Sequence, residues 1–395
     1  MHLRSGRRYL FGEAKEEYFI KKKIVVADAG SDRRSSIGSH ASTIRSKKGS
    51  TTSISGTKIT GEELVMYNQF KKGQCGILDP TNHNAAQWFK RVIKEEMLSY
   101  SSASFWLADA TVGGGPPIDG VYTSRPNQSN LSFHNSYAEH WAKINRDAIR
   151  EAGRDGDCFT IVNSAYGCTA KHAGYTSLGD YIVSFHNDSG DILTAVLNGI
   201  INGGFSGLTL SHCAVNLAVP RMLKSSLAGR AIDSKSREMI CRWMEMTAFT
   251  SLFRTHNGEG GTDDSNTPGF SGKGTLSAYE DDTMMKQLSR WSTVHVALSE
   301  YRKQLLNEAS FKGYPIVRHP ILHFPFDENI IASWDKDTKK KEGRSAENDD
   351  ICRKPSFMLG NLLYVVPVVK SRVTIVKVYL PEGPWIHLWV SKRKQ

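Results

Sequence analysis

The chain has 395 residues, 39% hydrophobic and 23% charged, with a formal net charge of +11. That apolar fraction supplies a real core and excludes wholesale disorder, and the length allows two or three domains of ordinary size. The charge raises a nucleic-acid or membrane-surface partner, yet residues 61–390 are neutral; the excess lies in residues 1–60, with 13 Lys/Arg against 5 Asp/Glu, and in three basic residues at 391–395.

Residues 1–8 are basic, but no apolar run follows them, so no secretory leader is expected. Residues 29–60 are rich in Ser, Gly, Thr, Lys and Arg and poor in large apolar side chains, the composition of a flexible basic insert. Within it Arg45-Ser46-Lys47-Lys48 reads as a solvated loop, with a localisation or polyanion patch as the functional alternative. From residue 61 the chain alternates two textures. An amphipathic helix over 85–97 places Trp88, Phe89, Val92, Ile93 and Met97 on one face. A short apolar strand at 104–108 follows and ends on Asp109. A second helix over 138–152 carries Trp141, Ile144, Ala148 and Ile149, and strands are expected at 158–162 and 175–178, the latter ending in Gly179-Asp180.

Residues 192–220 contain no charged side chain. Asn198, Asn202, His212 and Asn216 make the stretch too polar for a lipid-facing helix, so it reads as a buried helix at 192–201 and a buried strand at 205–210. A helix over 237–252 turns Ile240, Trp243, Met244, Thr247 and Ala248 inward, and 314–324 holds a last strand region. This alternation of strand and helix predicts parallel strands in a barrel or doubly wound sheet. After 357 the runs 362–369, 373–380 and 385–390 are β-rich and read as the start of a separate β-domain. The expected organisation is therefore a remnant preceding the barrel portion (1–28), the insert (29–60), a (β/α) barrel portion (61–356) and the start of a β-domain (357–395).

The six cysteines show no CxxC spacing, which gives a zinc or redox site little support. Sequons at Asn127, Asn130 and Asn187 do not establish secretion by themselves. Two aspartates close strand-like runs: Asp109 in FWLAD and Asp180 in TSLGD. At the C-terminal ends of barrel strands such side chains line the active site, and a pair of carboxylates is the minimum machinery for cleaving a glycosidic bond. The alternative is that each Asp caps the loop or helix that follows.

The text around them resembles glycoside hydrolase family 31, in the branch that includes bacterial α-glucosidases and sulfoquinovosidases. The matching pieces keep family order: residues 10–22, Gly76-Ile77-Leu78-Asp79-Pro80-Thr81-Asn82, the run 105–109, His134-Asn135, Trp141, Asn145-Arg146, Leu178-Gly179-Asp180, Phe205-Ser206-Gly207-Leu208, Ser211-His212, Arg242-Trp243, Arg254-Thr255-His256, Leu322-His323-Phe324-Pro325, Phe357-Met358-Leu359-Gly360, Val366-Pro367-Val368 and Tyr379-Leu380-Pro381 with Trp385. The resemblance implies a partial (β/α)8 barrel of about the last five βα units, followed by the start of a C-terminal β-sandwich. It also implies a retaining mechanism on α-glycosides. Asp109 would be the nucleophile and Asp180 the acid/base, with their carboxyl groups about 5–5.5 Å apart. Arg254, His256 and His212 would line the sugar site. Trp106 and Trp243 would stack on a sugar face, plain core being the alternative for both. No metal or organic cofactor is implied, and the expected partner is a carbohydrate rather than nucleic acid.

The pattern also departs from the family. After the nucleophile the branch reads D-F-G-E, where this chain has Asp109-Ala110-Thr111-Val112. Ser177 stands where a Trp is usual, and Asn163-Ser164 where an Arg-Ser pair is usual. The run His212-Cys213-Ala214-Val215-Asn216-Leu217-Ala218 lacks an Asp and a Tyr, and Ala218 in place of that Tyr weakens a sulfonated-sugar assignment. The resemblance starts after the third barrel strand, so an N-terminally truncated barrel is expected. These losses motivate a second reading, a catalytically inactive homologue that binds carbohydrate or protein.

Overall fold

The computed structural model describes residues 14, 16–27, 52–54, 57–64, 66–70, 73–99, 103–109, 116, 120–123, 131–178, 191–216, 218–220, 227–256, 275–277, 282–334, 355–370 and 372–389. The chain forms two compact units, residues 1–177 and 178–395.

In the first unit β1 (Lys21–Ala27), β2 (Thr52–Ile54) and β3 (Thr57–Leu64) form an antiparallel sheet in the order β2-β3-β1, and β4 (Met66–Phe70) pairs with β5 (Gly73–Gly76). The sequence reading did not anticipate these strands. The last part of the segment expected to be a flexible insert is ladder, and its Thr and Ile residues are the β-branched types that suit a pleated surface. Residues 28–51, which hold the basic run, lie outside the described residues. Next come α1 (His83–Ile93), β6 (Phe105–Ala108), β7 (Gly120–Val121), α2 (Leu131–Glu151), β8 (Phe159–Val162) and β9 (Tyr175–Ser177). Strand β7 adds to the free side of β1. β8 pairs in parallel with both β6 and β9, as the βα alternation requires.

Helix α1 starts where the Asn82 side chain accepts from the backbone N–H groups of Asn84 and Ala85, at 3.0 and 3.2 Å. Apart from Met97, which lies beyond α1 and is only partly buried, the expected stripes are the buried faces: Trp88, Phe89, Val92 and Ile93 on α1, and Trp141, Ile144, Ala148 and Ile149 on α2. The two helices meet where Phe89 stacks on Trp141, with ring centroids 4.9 Å apart. Such a pair contributes about 0.5–1.5 kcal/mol beyond its area. Beside it Lys90 and Lys94 both pair with Glu151, chiefly through the hydrogen bond from Lys90, which holds that carboxyl below its ordinary value.

The second unit contains α3 (Asp191–Phe205), β10 (Ser211–His212), β11 (Val215–Asn216), β12 (Ala218–Pro220), α4 (Leu227–Thr247), β13 (Thr255–His256), β14 (Thr275–Ser277), α5 (Asp282–Ala297), α6 (Ser299–Lys312), β15 (Val317–Arg318), α7 (Glu328–Trp334), β16 (Phe357–Leu359) and β17 (Leu363–Val365). The strand expected at 205–210 is not one. Helix α3 runs through Phe205 and stops at Gly207, whose φ of +83° suits glycine, and the strand begins only at Ser211. The inward face expected for the 237–252 helix is correct: Ile240, Trp243, Met244, Thr247 and Ala248 are all buried. Ile240, Trp243, Met244 and Ala248 pack with Leu197 and Ile200 of α3, Trp291 of α5, Leu305 of α6 and Phe357 of β16 in one core. Among the described residues no helix is long and apolar enough to cross a membrane.

Strands β15, β16 and β17 form an antiparallel sheet. The further strands expected at 373–380 and 385–390 do not appear among the described residues there. Instead this tail is tied down by side chains: Arg242 donates to the Val373 carbonyl, Tyr379 to Asp327 at 2.7 Å, and the Trp385 indole to the Pro381 carbonyl.

Candidate active site

Of the residues expected in the site, Asp109 and Trp106 belong to the first unit, and His212, Trp243, Arg254 and His256 to the second. In the first, register sets the geometry. Phe105, Trp106, Leu107 and Ala108 stand opposite Phe159, Thr160, Ile161 and Val162. Side chains alternate along a strand, so positions 105, 107 and 109 share one face of the sheet with 159, 161 and 163. The stacked pair Phe105–Phe159, with centroids 5.4 Å apart, marks that face. The other face carries Ala108 and Val162, each 1% exposed, into the core shared with α1 and α2.

Asp109 follows β6 directly, at its C-terminal end, and the Asn163 side-chain amide donates a hydrogen bond to its Oδ1. A carboxylate only accepts, so the amide presents its N–H side. Sequence reasoning noted Asn163 merely as a departure from the usual Arg. Its contact with Asp109 was available from the two strands' register, had that been known.

Trp106 lies on the helix side of the sheet and packs against the core. Its indole N–H donates to Asn145 of α2 at 3.1 Å, and the Asn145 amide donates to the Trp141 carbonyl at 2.9 Å. It is partly buried and ties the strand to α2. The pleat explains this, because Trp106 and Asp109 are three positions apart and so face opposite ways.

The loop leading into α1 is built around Asp79, which is 1% exposed. Its carboxylate accepts from Thr81 N–H and hydroxyl at 2.9 and 2.7 Å and from the Thr123 N–H at 2.6 Å. Tyr137 crosses from α2 to the Leu78 carbonyl. Burial, with Tyr122 and Asp79 nearby, pushes its phenol pKa far up, so it stays a hydrogen-bond donor.

In the second unit β11 and β13 run parallel, with Val215 opposite Thr255 and Asn216 opposite His256. The Val215 N–H bonds the Arg254 carbonyl at 2.8 Å, which places Arg254 at the start of the short ladder. Arg254 Nε donates to Nε2 of His212, a side chain with no solvent exposure. The Leu178 N–H holds the His212 carbonyl at 3.0 Å. The structure thus brings together His212 and Arg254, both expected from the sequence. His256 is placed in β13 by its backbone, and Asp180 lies outside the described residues. Trp243 has no exposed surface and sits in the core, so its expected place on a sugar face is corrected: no ring face is open. Among the described residues no group of three or more His, Cys, Asp or Glu is gathered to hold a metal ion.

Comparison with known proteins gives this arrangement a family. Residues 21–280 match the Glycosyl hydrolases family 31 TIM-barrel domain, and residues 313–395 the Glycosyl hydrolase family 31 C-terminal domain. Over 332 residues the chain is 29% identical to a sulfoquinovosidase of Agrobacterium fabrum, and over 339 residues 26% identical to one of Escherichia coli. Each alignment covers 84% of this chain but 42% of the relative, so the chain spans about two-fifths of their length. A solved family 31 sulfoquinovosidase from E. rectale, in complex with an aza-sugar inhibitor, superposes with a TM-score of 0.62 at 26% identity, covering 82% of this chain and 42% of that one. An α-xylosidase from a soil metagenome shares the fold with a TM-score of 0.59 at 17% identity, over 79% of this chain and 42% of that one. The chain belongs to glycoside hydrolase family 31.

Proposed function

We propose that this chain hydrolyses the O-glycosyl bond of α-glycosides with retention of configuration. The observation that carries the reading is Asp109 at the C-terminal end of β6, on the sheet face that it shares with Asn163 and hydrogen-bonded to that residue. This is where barrel enzymes place reacting groups.

In the proposed reaction Asp109 attacks the anomeric carbon while Asp180 protonates the departing oxygen. A glycosyl ester forms on Asp109. Asp180 then takes a proton from water, which attacks the same carbon and releases Asp109. The two carboxyl groups would lie about 5–5.5 Å apart. Arg254, His212 and His256 would contact the bound sugar, with Arg254 held in place by its bond to His212. The relatives named sulfoquinovosidase favour a sulfonated sugar. Ala218, where the branch carries Tyr, argues for a wider choice of α-glycoside.

The test uses the full chain with 4-nitrophenyl α-D-glucopyranoside and 4-nitrophenyl α-sulfoquinovopyranoside, followed by labelling with an α-configured cyclitol aziridine. Release of nitrophenol from either glycoside, with the label on Asp109, supports the reading. Folded protein that neither turns over nor labels overturns it. The second reading, a carbohydrate- or protein-binding homologue without turnover, draws on the sequence Asp109-Ala110-Thr111-Val112, which lacks the branch's Glu. Sugar binding by calorimetry without labelling would select it.

A further inference from the structure

We infer that Asn163 is a positioning residue for Asp109, fixing Oδ1 so that Oδ2 is the attacking oxygen; the inference rests on the nucleophile reading of Asp109. Four consecutive in-register pairs between β6 and β8 end immediately before these residues. Their backbones are therefore fixed with respect to one another, and the pleat turns both side chains to one face. From behind, Ala108 and Val162 are packed into the core, each 1% exposed, which leaves little slack in the strand ends. On this base the Asn163 amide donates to Asp109 Oδ1.

The chemistry of this donor differs from that of a cation. An amide does not titrate, so the bond to Asp109 persists at every pH at which Asp109 is ionised. It orients the carboxylate without neutralising its charge, which leaves Oδ2 nucleophilic. In the first step an Oδ2 electron pair forms the bond to C1 as the bond from C1 to the departing oxygen breaks. That bond's electron pair leaves with the oxygen, which takes the proton of the acid. In the second step water's oxygen bonds to C1 and the C1–Oδ2 pair returns to Asp109. There the Asn163 N–H stabilises the re-forming carboxylate. The residue therefore assists both steps, and the second by direct stabilisation of the leaving group.

The experiment compares the native full chain with Asn163→Ala and the isosteric Asn163→Asp, using 4-nitrophenyl α-glycosides and the cyclitol aziridine. For Asn163→Ala, kcat/KM and the labelling rate fall about 10- to 100-fold, the loss expected for one hydrogen bond to a charged group, with an unchanged melting temperature. For Asn163→Asp, two carboxylates share one site, so one holds its proton to higher pH. The acid limb of the rate profile then moves up, a change that a purely structural role would not cause. A native chain that turns over while both variants keep its rate and its acid limb overturns this inference alone. A native chain that neither turns over nor labels overturns the proposed function and this inference with it.

Discussion

Arg254 Nε donates to His212 Nε2 at 3.2 Å, across 42 residues of sequence. An arginine Nε can only donate, so Nε2 of His212 is the acceptor in this bond. The histidine is fully buried, and removing its acceptor breaks the bond from Arg254. His212→Phe should destabilise the protein by about 1–3 kcal/mol. His212→Gln, which places an amide oxygen near the position of Nε2, should cost clearly less. Urea unfolding of the two variants checks this, and equal losses would mean that packing rather than the bond to Arg254 is what His212 supplies.

Gly360 is required by its surroundings. Its φ is +58°, and a Cβ there would collide with the Tyr301 hydroxyl and with Leu305. The same hydroxyl accepts from the N–H groups of Asn361 and Leu362, both at 3.0 Å, and donates to the Leu359 carbonyl at 3.0 Å. It organises the whole three-residue connection from β16 to β17. Gly360→Ala combines an unfavourable backbone conformation with displacement of Tyr301, and should cost about 2–4 kcal/mol. Tyr301→Phe, which leaves the glycine's space open, should cost about 1–2 kcal/mol. Thermal unfolding of both variants gives the comparison, and Gly360→Ala as mild as Tyr301→Phe would contradict the steric argument.

Much of this was legible in the sequence, for a physical reason. Trp88, Phe89, Val92 and Ile93, and the corresponding stripes of α2 and α4, follow the helical period, which survives any tertiary arrangement. The parallel pairing of β6, β8 and β9 followed from the βα alternation. Helices α5 and α6 were passed over, and α6 has few buried side chains, Arg302, Leu305 and Ala309, hence a weak stripe. The apolar Leu208 and Leu210 suggest a strand over 205–210, but the helix runs to Phe205, Gly207 follows with a positive φ, and the strand starts at Ser211. In the site, Asp109, His212 and Arg254 came from the resemblance. The partners Asn163 and Asn145 depend on which residues stand opposite across a ladder or beside a helix, and a single chain of letters does not encode that register.

Burial and the neighbouring Arg302 guanidinium depress the His295 pKa from its ordinary 6.5 to about 4. Arg302 is 5% exposed; it donates to the carbonyls of Ala248, Thr250 and His295, and Nδ1 of His295 lies 2.8 Å from its guanidinium and 3.0 Å from the Ala248 carbonyl. A second proton on the ring would place a positive charge beside that fixed guanidinium. Because the folded pKa lies below the unfolded one, the unfolded chain takes up the proton first. The histidine's contribution is therefore complete above about pH 6.5 and is lost as pH falls toward 4. Burial depresses His319 to about 4 as well, and acts in the same direction. Glu151 and Glu308, both held below the ordinary carboxylate value by cations, lose their contributions only at lower pH, so the interval from pH 7 to 5 isolates the histidines. Native protein should lose stability to urea across that interval. His295→Asn, whose amide keeps a polar group there but cannot titrate, should lose less, while starting from a similar value at pH 7. Parallel curves for the two proteins would remove His295 from the account and leave the acid sensitivity to His319 and other groups.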